Sequence, residues 1–138
     1  MEINNLTKSS IDENFLKKVA KIVLKGENKS SGEISLALIG PGRIRELNKK
    51  YRKKDKATDV LSFQESKDFL EGLGEIVICL REVKKNSKKF KVDFQEELAR
   101  ILIHGILHLL GYDHEKSRAK AREMEKKQES YLSQALKS

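Results

Sequence analysis

The sequence has few of the residues that cross-link or interrupt a chain: one cysteine, one proline and no tryptophan among 138 residues. Its one cysteine, Cys79, excludes an internal disulfide, and its position in the apolar run 76–80 favours a buried thiol in a reducing compartment. No run of 18 apolar residues is present, and the amino terminus lacks the pattern of a signal peptide. We therefore expect a cytoplasmic protein with no membrane span.

Linkers are missing as well, because no repeat, low-complexity tract or stretch rich in proline, glycine and serine divides the chain. A chain of this length can bury a core without disulfides or a structural metal. We therefore predict a single domain over residues 1–138.

Positive charge is in excess, with 29 lysines and arginines against 21 acidic residues and a net charge of +8. Such an excess favours an anionic partner, most often a nucleic acid, although many small proteins are basic for solubility alone. The charge is concentrated in residues 43–56 and 84–91, which either form a track for phosphates or are solvated helix faces. Aromatic residues make up only 6%, which gives little support for a base-stacking platform, so we expect binding to a nucleic-acid backbone more than reading of its sequence.

Hydrophobic periodicity alternates between helical and strand spacing along the chain. Helices are predicted from a Ser10–Glu13 capping box to Gly26, from Pro41 past Tyr51, over 81–89, over 93–110 and over 115–136, and strands over 34–38, 59–63 and 74–79. The pattern predicts an α+β fold with a small mixed β-sheet of three or four strands packed with helices.

All three histidines fall within eleven residues, in the arrangement H-x-x-x-H-x-x-G-x-x-H: His104, His108 and His114. Residues four apart on a helix share one face, so the first two imidazoles can converge on one ion. Gly111 can end the helix and return the third. Three histidines with ordinary hydrogen bonds are the alternative, but the spacing favours a metal site. Three neutral nitrogens with an open fourth position are typical of catalytic zinc, so we predict one Zn²⁺ ion.

Zinc in such a site activates water and polarises carbonyl or phosphoryl oxygens, which favours hydrolysis. Zinc proteases of the H-E-x-x-H type carry a glutamate as general base after the first histidine, whereas this chain has Gly105 there. Phosphodiester cleavage mainly requires charge stabilisation at a phosphoryl group. Arg52, beside Lys53 and Lys54, is the candidate for gripping phosphate bidentately. Glycine inside a helix costs about 1 kcal/mol against alanine, so we also expect a close neighbour at Gly105.

Three blocks resemble the bacterial YbeY family of endoribonucleases: residues 48–63, residues 74–78 and the histidine segment, where the pattern H-G-x-L-H-L-x-G-Y-D-H is complete. The resemblance implies a zincin-like fold, a zinc ion held by His104, His108 and His114, and catalysis by Arg52. It also implies single-strand-specific cleavage of ribosomal RNA, in 16S rRNA 3′ end maturation and ribosome quality control. The implied partners are ribosomal RNA and the ribosome or ribosomal proteins.

Two other functions agree with the residues. A zinc-containing ribosome assembly or RNA-binding factor without turnover fits the basic surface and the missing protein base. A metalloprotease is the third hypothesis, and Gly105 disfavours it.

Overall fold

The structure is a computed structural model that describes residues 1–64 and 72–137. Its elements, in chain order, are β1 (Glu2–Asn5), α1 (Glu13–Gly26), β2 (Glu33–Ile39), α2 (Pro41–Arg52), β3 (Val60–Gln64), β4 (Gly72–Cys79), α3 (Leu80–Phe90), α4 (Phe94–Leu109) and α5 (Arg118–Lys137). This content confirms the α+β prediction. Within the described ranges, no helix is both long and apolar enough to cross a bilayer.

The four strands form one mixed sheet in the order β1-β2-β4-β3. The pairs β1·β2 and β2·β4 are parallel, whereas β3 runs antiparallel to β4, with Val60 opposite Ile78 and Ser62 opposite Ile76. The antiparallel strand β3 therefore lies at one edge of the sheet. This edge is the part of the sheet that borders the histidines.

Alternate residues of a strand point to opposite faces of the sheet. Both faces are apolar in this sheet, and both are covered by helices. Ile76 and Ile78 of β4 face the main core, which they share with α1, α3, α4 and α5. Val77 and Cys79 face a second, smaller core with Ile44 of α2. Cys79 is completely buried there, as predicted, and burial raises the pKa of its thiol.

Helix α4 packs closely under the edge of the sheet at Gly105. A Cβ atom at this position would lie 3.2–3.3 Å from side-chain atoms of Ile76, Ser62 and Val60. The expected close neighbour of this glycine is thus the sheet itself. The approach sets His104 and His108 beside strand β3.

The observed helix starts differ from the predicted ones by more than one residue at two places. Helix α1 is capped by Asp12 rather than Ser10, with its carboxylate accepting from the Phe15 N–H at 3.1 Å. Helix α5 begins at Arg118 rather than Glu115, and the hydroxyl of Ser117 accepts from the Lys120 N–H at 3.1 Å. In both cases a short side chain close to the helix satisfies a backbone N–H that would otherwise lack a partner.

Strand β1 was not predicted. It has four residues, EINN, of which three are polar, so it carries almost no alternating hydrophobic signal. Parallel pairing with β2 is what extends it, with Ile3 opposite Leu36 and packed against the main core.

Candidate metal centre

The end of helix α4 determines how the three histidines are presented. His104 and His108 lie one turn apart on α4, and the helix ends directly after Leu109. Gly111 adopts a φ of +100°, its N–H donates to the carbonyl of His108, and the Tyr112 N–H donates to the carbonyl of Leu107, each at 3.0 Å. This pair of bonds is the Schellman arrangement that ends a helix. The chain therefore turns back at Gly111, as predicted, and brings His114 toward the helix.

The three imidazoles face one another. The Nε2 atoms of His104 and His108 are 3.0 Å apart, and one nitrogen from each of the three rings lies within 4.8 Å of the others. The ring of His114 is 5.4 Å from that of His104 and 5.2 Å from that of His108, between centroids. Two nitrogens bound at about 2.0–2.1 Å to a tetrahedral zinc ion lie about 3.3 Å apart. The arrangement is thus one in which a metal ion fits.

The protonation of the two helical histidines favours ligation. Burial lowers the pKa of His104, and burial together with the other two imidazoles lowers the pKa of His108. Both rings are therefore neutral at neutral pH, the form in which histidine binds metals. The Nδ1 atom of His104 lies 2.9 Å from Oε1 of Gln128 on α5. An amide oxygen only accepts, so Nδ1 carries the proton and Nε2 keeps its lone pair for the ion.

Tyr112, in the loop that carries His114, is hydrogen-bonded to Glu27 at the end of α1. The Tyr112 hydroxyl donates to Oε1 of Glu27 at 2.6 Å, and Oε2 accepts from Lys127 Nζ at 3.0 Å and from the Tyr131 hydroxyl. We call Glu27, Tyr112, Lys127 and Tyr131 the carboxylate brace. Burial raises the pKa of Glu27, but its three hydrogen bonds outweigh burial and the pKa lies below its ordinary value. The charged carboxylate thus joins the end of α1, the histidine loop and α5.

Asp113 is an acidic residue adjacent to His114 in the chain. Its carboxylate accepts from the Glu115 N–H at 2.9 Å, which fixes the turn after the histidines. Asp113 therefore stabilises this turn, and it is not among the three residues whose possible ligand atoms converge.

Arg52 is held at the edge of the sheet and does not touch the histidines. It is the last residue of α2, which packs on the opposite face of the sheet from α4. Its Nη2 donates to the backbone carbonyl of Ser62 at 2.9 Å, and the Ser62 hydroxyl donates to the carbonyl of Gly105 at 3.1 Å. Ser62 on strand β3 is therefore the link between the arginine and the residue that follows His104.

Two features of this centre carried no recognisable signal in the sequence. Gln128 lies 24 residues after His104, and Glu27 lies 85 residues before Tyr112. Glutamine on a polar helix and glutamate at a helix end are both common at the surface. Only the packing of α1, α4 and α5 shows that these two side chains face the histidine segment.

Comparison with known proteins agrees with the geometry. The sequence profile of the family described as endoribonuclease YbeY matches residues 2–136. A protein of Persephonella marina named endoribonuclease YbeY is 43% identical over 119 residues, which cover 83% of this chain and 78% of that one. Its counterpart in Aquifex aeolicus is 40% identical over 136 residues, covering 95% and 91%.

A solved structure is similar over nearly the whole chain. It is the solution structure of a Thermotoga maritima protein, 33% identical, with a TM-score of 0.68. The match covers 96% of this chain and 88% of that one. The arrangement of strands and helices described above is therefore shared with an experimentally determined structure.

Proposed function

The chain belongs to the YbeY family of endoribonucleases, and from this we propose that it is a single-strand-specific, metal-dependent endoribonuclease acting on ribosomal RNA. The observation that carries the proposal is the convergence of the three imidazoles of His104, His108 and His114 beside an edge strand. We propose zinc as the ion and residues 1–138 as one hydrolase domain. We further propose that it acts in the cytoplasm on 16S rRNA 3′ ends and in ribosome quality control, with the ribosome or ribosomal proteins as partners.

The histidines would hold the ion, and Gln128 would keep His104 in the ligating tautomer. When bound, zinc stabilises negative charge on a phosphoryl oxygen and lowers the pKa of water. Arg52 contributes a guanidinium whose remaining N–H groups can hold a phosphate while one N–H group stays on Ser62. Stabilising the charge that develops on the phosphate is the main requirement of this reaction.

Packing at Gly105 argues against the protease hypothesis. A glutamate there would have to place its Cβ within 3.2–3.3 Å of side chains on β3 and β4. These neighbours would have to shift by a few tenths of an ångström to admit a side chain, so the packing disfavours the general base of a zinc protease at this position.

The test is cleavage of single-stranded ribosomal RNA fragments by the wild type, by His114→Ala and by Lys116→Ala. His114 and Lys116 are both exposed in the same loop, so neither change leaves a cavity in the core. We expect the wild type and Lys116→Ala to cut and His114→Ala not to cut. Absence of cleavage by metal-loaded wild type, together with retained RNA binding, would contradict the proposal and support an RNA-binding assembly factor.

The chemical ends of the RNA products distinguish two cleavage mechanisms. A 2′,3′-cyclic phosphate would show that the neighbouring 2′-hydroxyl attacks, whereas a 5′-phosphate with a 3′-hydroxyl would show attack by water. Mass spectrometry of the fragments measures this directly.

A further inference from the structure

The last turn of α2 places an aromatic ring at the exposed edge of the sheet. Ile44, Leu47 and Tyr51 share one face of the helix, at spacing i, i+3 and i+7. Ile44 is fully buried in the smaller core, whereas Tyr51 is 52% exposed. The apolar stripe that begins inside the protein therefore ends in solvent, next to strand β3.

The ring of Tyr51 rests against a second aromatic ring. Its centroid lies 5.2 Å from that of Phe63 on β3, with an angle of 67° between the planes. Such edge-to-face contacts are favourable and fix the orientation of both rings. Phe63 is half-buried against the smaller core, so it provides a firm support. The contact holds the Tyr51 ring in place while half of its surface stays in solvent.

Two cationic side chains lie near this ring pair. Lys50 Nζ lies 5.3 Å from the centre of the Tyr51 ring, and the guanidinium carbon of Arg52 lies 5.7 Å from that of Phe63. The basic loop that follows is fixed by Asn48, which is 3% exposed and donates from Nδ2 to the carbonyl of Lys56 at 2.9 Å. An exposed aromatic face beside positive charges is a combination that binds single-stranded nucleic acids.

We propose that Tyr51 is a stacking platform for one unpaired base of the RNA, adjacent to the phosphate held by Arg52; this rests on the function proposed above. The two side chains are neighbours on one helix, as the base and phosphate of one nucleotide are neighbours on one strand. A base inside a duplex is already stacked and must be unpaired before it can reach the ring. The platform thereby selects single-stranded RNA, and it accepts any base because every base has a π face.

This proposal revises the expectation drawn from the low aromatic content. Few aromatic residues are present, but Tyr51 lies at the edge of the sheet and packs against the ring of Phe63, with Arg52 next to this ring pair. The number of aromatic residues therefore matters less than the position of one.

Phe90 on α3 offers a matched control. It is 57% exposed, with Lys89 Nζ 5.5 Å from its ring centre, so its exposure and charge resemble those of Tyr51. Among the described residues, Phe90 packs on no second aromatic ring. It lies on a different helix, α3, which follows β4 in the chain, whereas α2 follows β2.

The experiment measures the affinity of metal-loaded wild type, Tyr51→Leu, Tyr51→Trp and Phe90→Leu for a 2′-O-methyl RNA of about ten nucleotides, single-stranded and in duplex form. The oligonucleotide is checked afterwards on a gel for integrity. Tyr51→Leu should weaken single-stranded binding about 5- to 100-fold and leave duplex binding unchanged. Tyr51→Trp should retain affinity, and as the chain has no other tryptophan, its fluorescence should be quenched by the single strand.

Equal single-stranded affinity of Tyr51→Leu and the wild type would overturn the platform, as would an equal loss in Phe90→Leu. A loss of duplex binding of the same size would also overturn it, because stacking on an unpaired base would then not be the cause. Failure of the proposed function gives a different result, since the wild type would then cut no RNA whatever Tyr51 binds. A wild type that cuts, with a Tyr51→Leu variant that binds and cuts equally well, refutes the platform alone.

Discussion

The two sides of the proposed active site are built differently. On the histidine side, His104 and His108 are half-buried on a central helix. His114 lies in a loop whose Tyr112 is hydrogen-bonded to Glu27, which in turn accepts from Lys127 and Tyr131 of α5. On the arginine side, Arg52 is exposed at a helix end and is held by a hydrogen bond to one backbone carbonyl. The comparison teaches that the fold preorganises the groups that would bind an ion and leaves the group that would meet the RNA free to adjust.

Loss of a half-buried histidine of the proposed metal site should have the largest effect. His108→Ala leaves two imidazoles, and we expect zinc affinity to fall by about 1,000-fold or more and RNA cleavage to fall with it. Metal analysis after dialysis and a cleavage assay on the same sample measure both. Full metal content in folded His108→Ala would show that the histidines are not the ligands.

Gln128 tests whether support of the histidines from α5 matters. Gln128→Leu removes the acceptor from Nδ1 of His104, and we expect a 10- to 100-fold loss in zinc affinity, about the usual effect of such outer contacts. Competition with a coloured chelator measures the affinity without using activity. Gln128→Glu keeps an oxygen acceptor and should retain wild-type affinity, so equal losses in both variants would show that the contact does not orient the ring.

The carboxylate brace should have a smaller effect, and one that depends on pH. The pKa of Glu27 is lowered in the folded state, so the brace stabilises the fold above the unfolded pKa and loses this contribution as pH falls through the folded pKa. Glu27→Gln should therefore lower the free energy of unfolding by about 1–3 kcal/mol at neutral pH, and the difference should shrink in acid.

Urea unfolding at several pH values measures this difference. Glu123→Gln is the control, because Glu123 is exposed on α5 and lines the same surface cleft as Glu27. A difference between Glu27→Gln and the wild type that does not change with pH would mean that the charge of Glu27 is not what stabilises the brace.

The sequence predicted the histidine side well where the signal is local. His104 and His108 one turn apart, and a glycine with positive φ after the helix, are consequences of helix geometry that any reader of the chain can apply. The close approach at Gly105 was also predictable, because a glycine inside a buried helix needs a reason. Its neighbours, on β3 and β4, were not predictable in the same way.

Features that depend on pairing between distant segments were missed. Strand β1 forms because β2 accepts it as a parallel neighbour, and its own four residues hardly favour a strand. Gln128 and Glu27 acquire their contacts only after three helices have packed together. Arg52 was singled out by charge and resemblance, but its attachment to Ser62 follows from the position of β3 at the sheet edge.

The most direct test of the account is to measure bound zinc and RNA cleavage together in Arg52→Ala. Because Arg52 contacts none of the histidines, the variant should hold as much metal as the wild type, while cleavage of single-stranded ribosomal RNA should fall by about 100- to 1,000-fold through lost charge stabilisation. Cleavage at the wild-type rate would contradict the role of the arginine. Loss of the metal along with the activity would contradict the separation of the two sides.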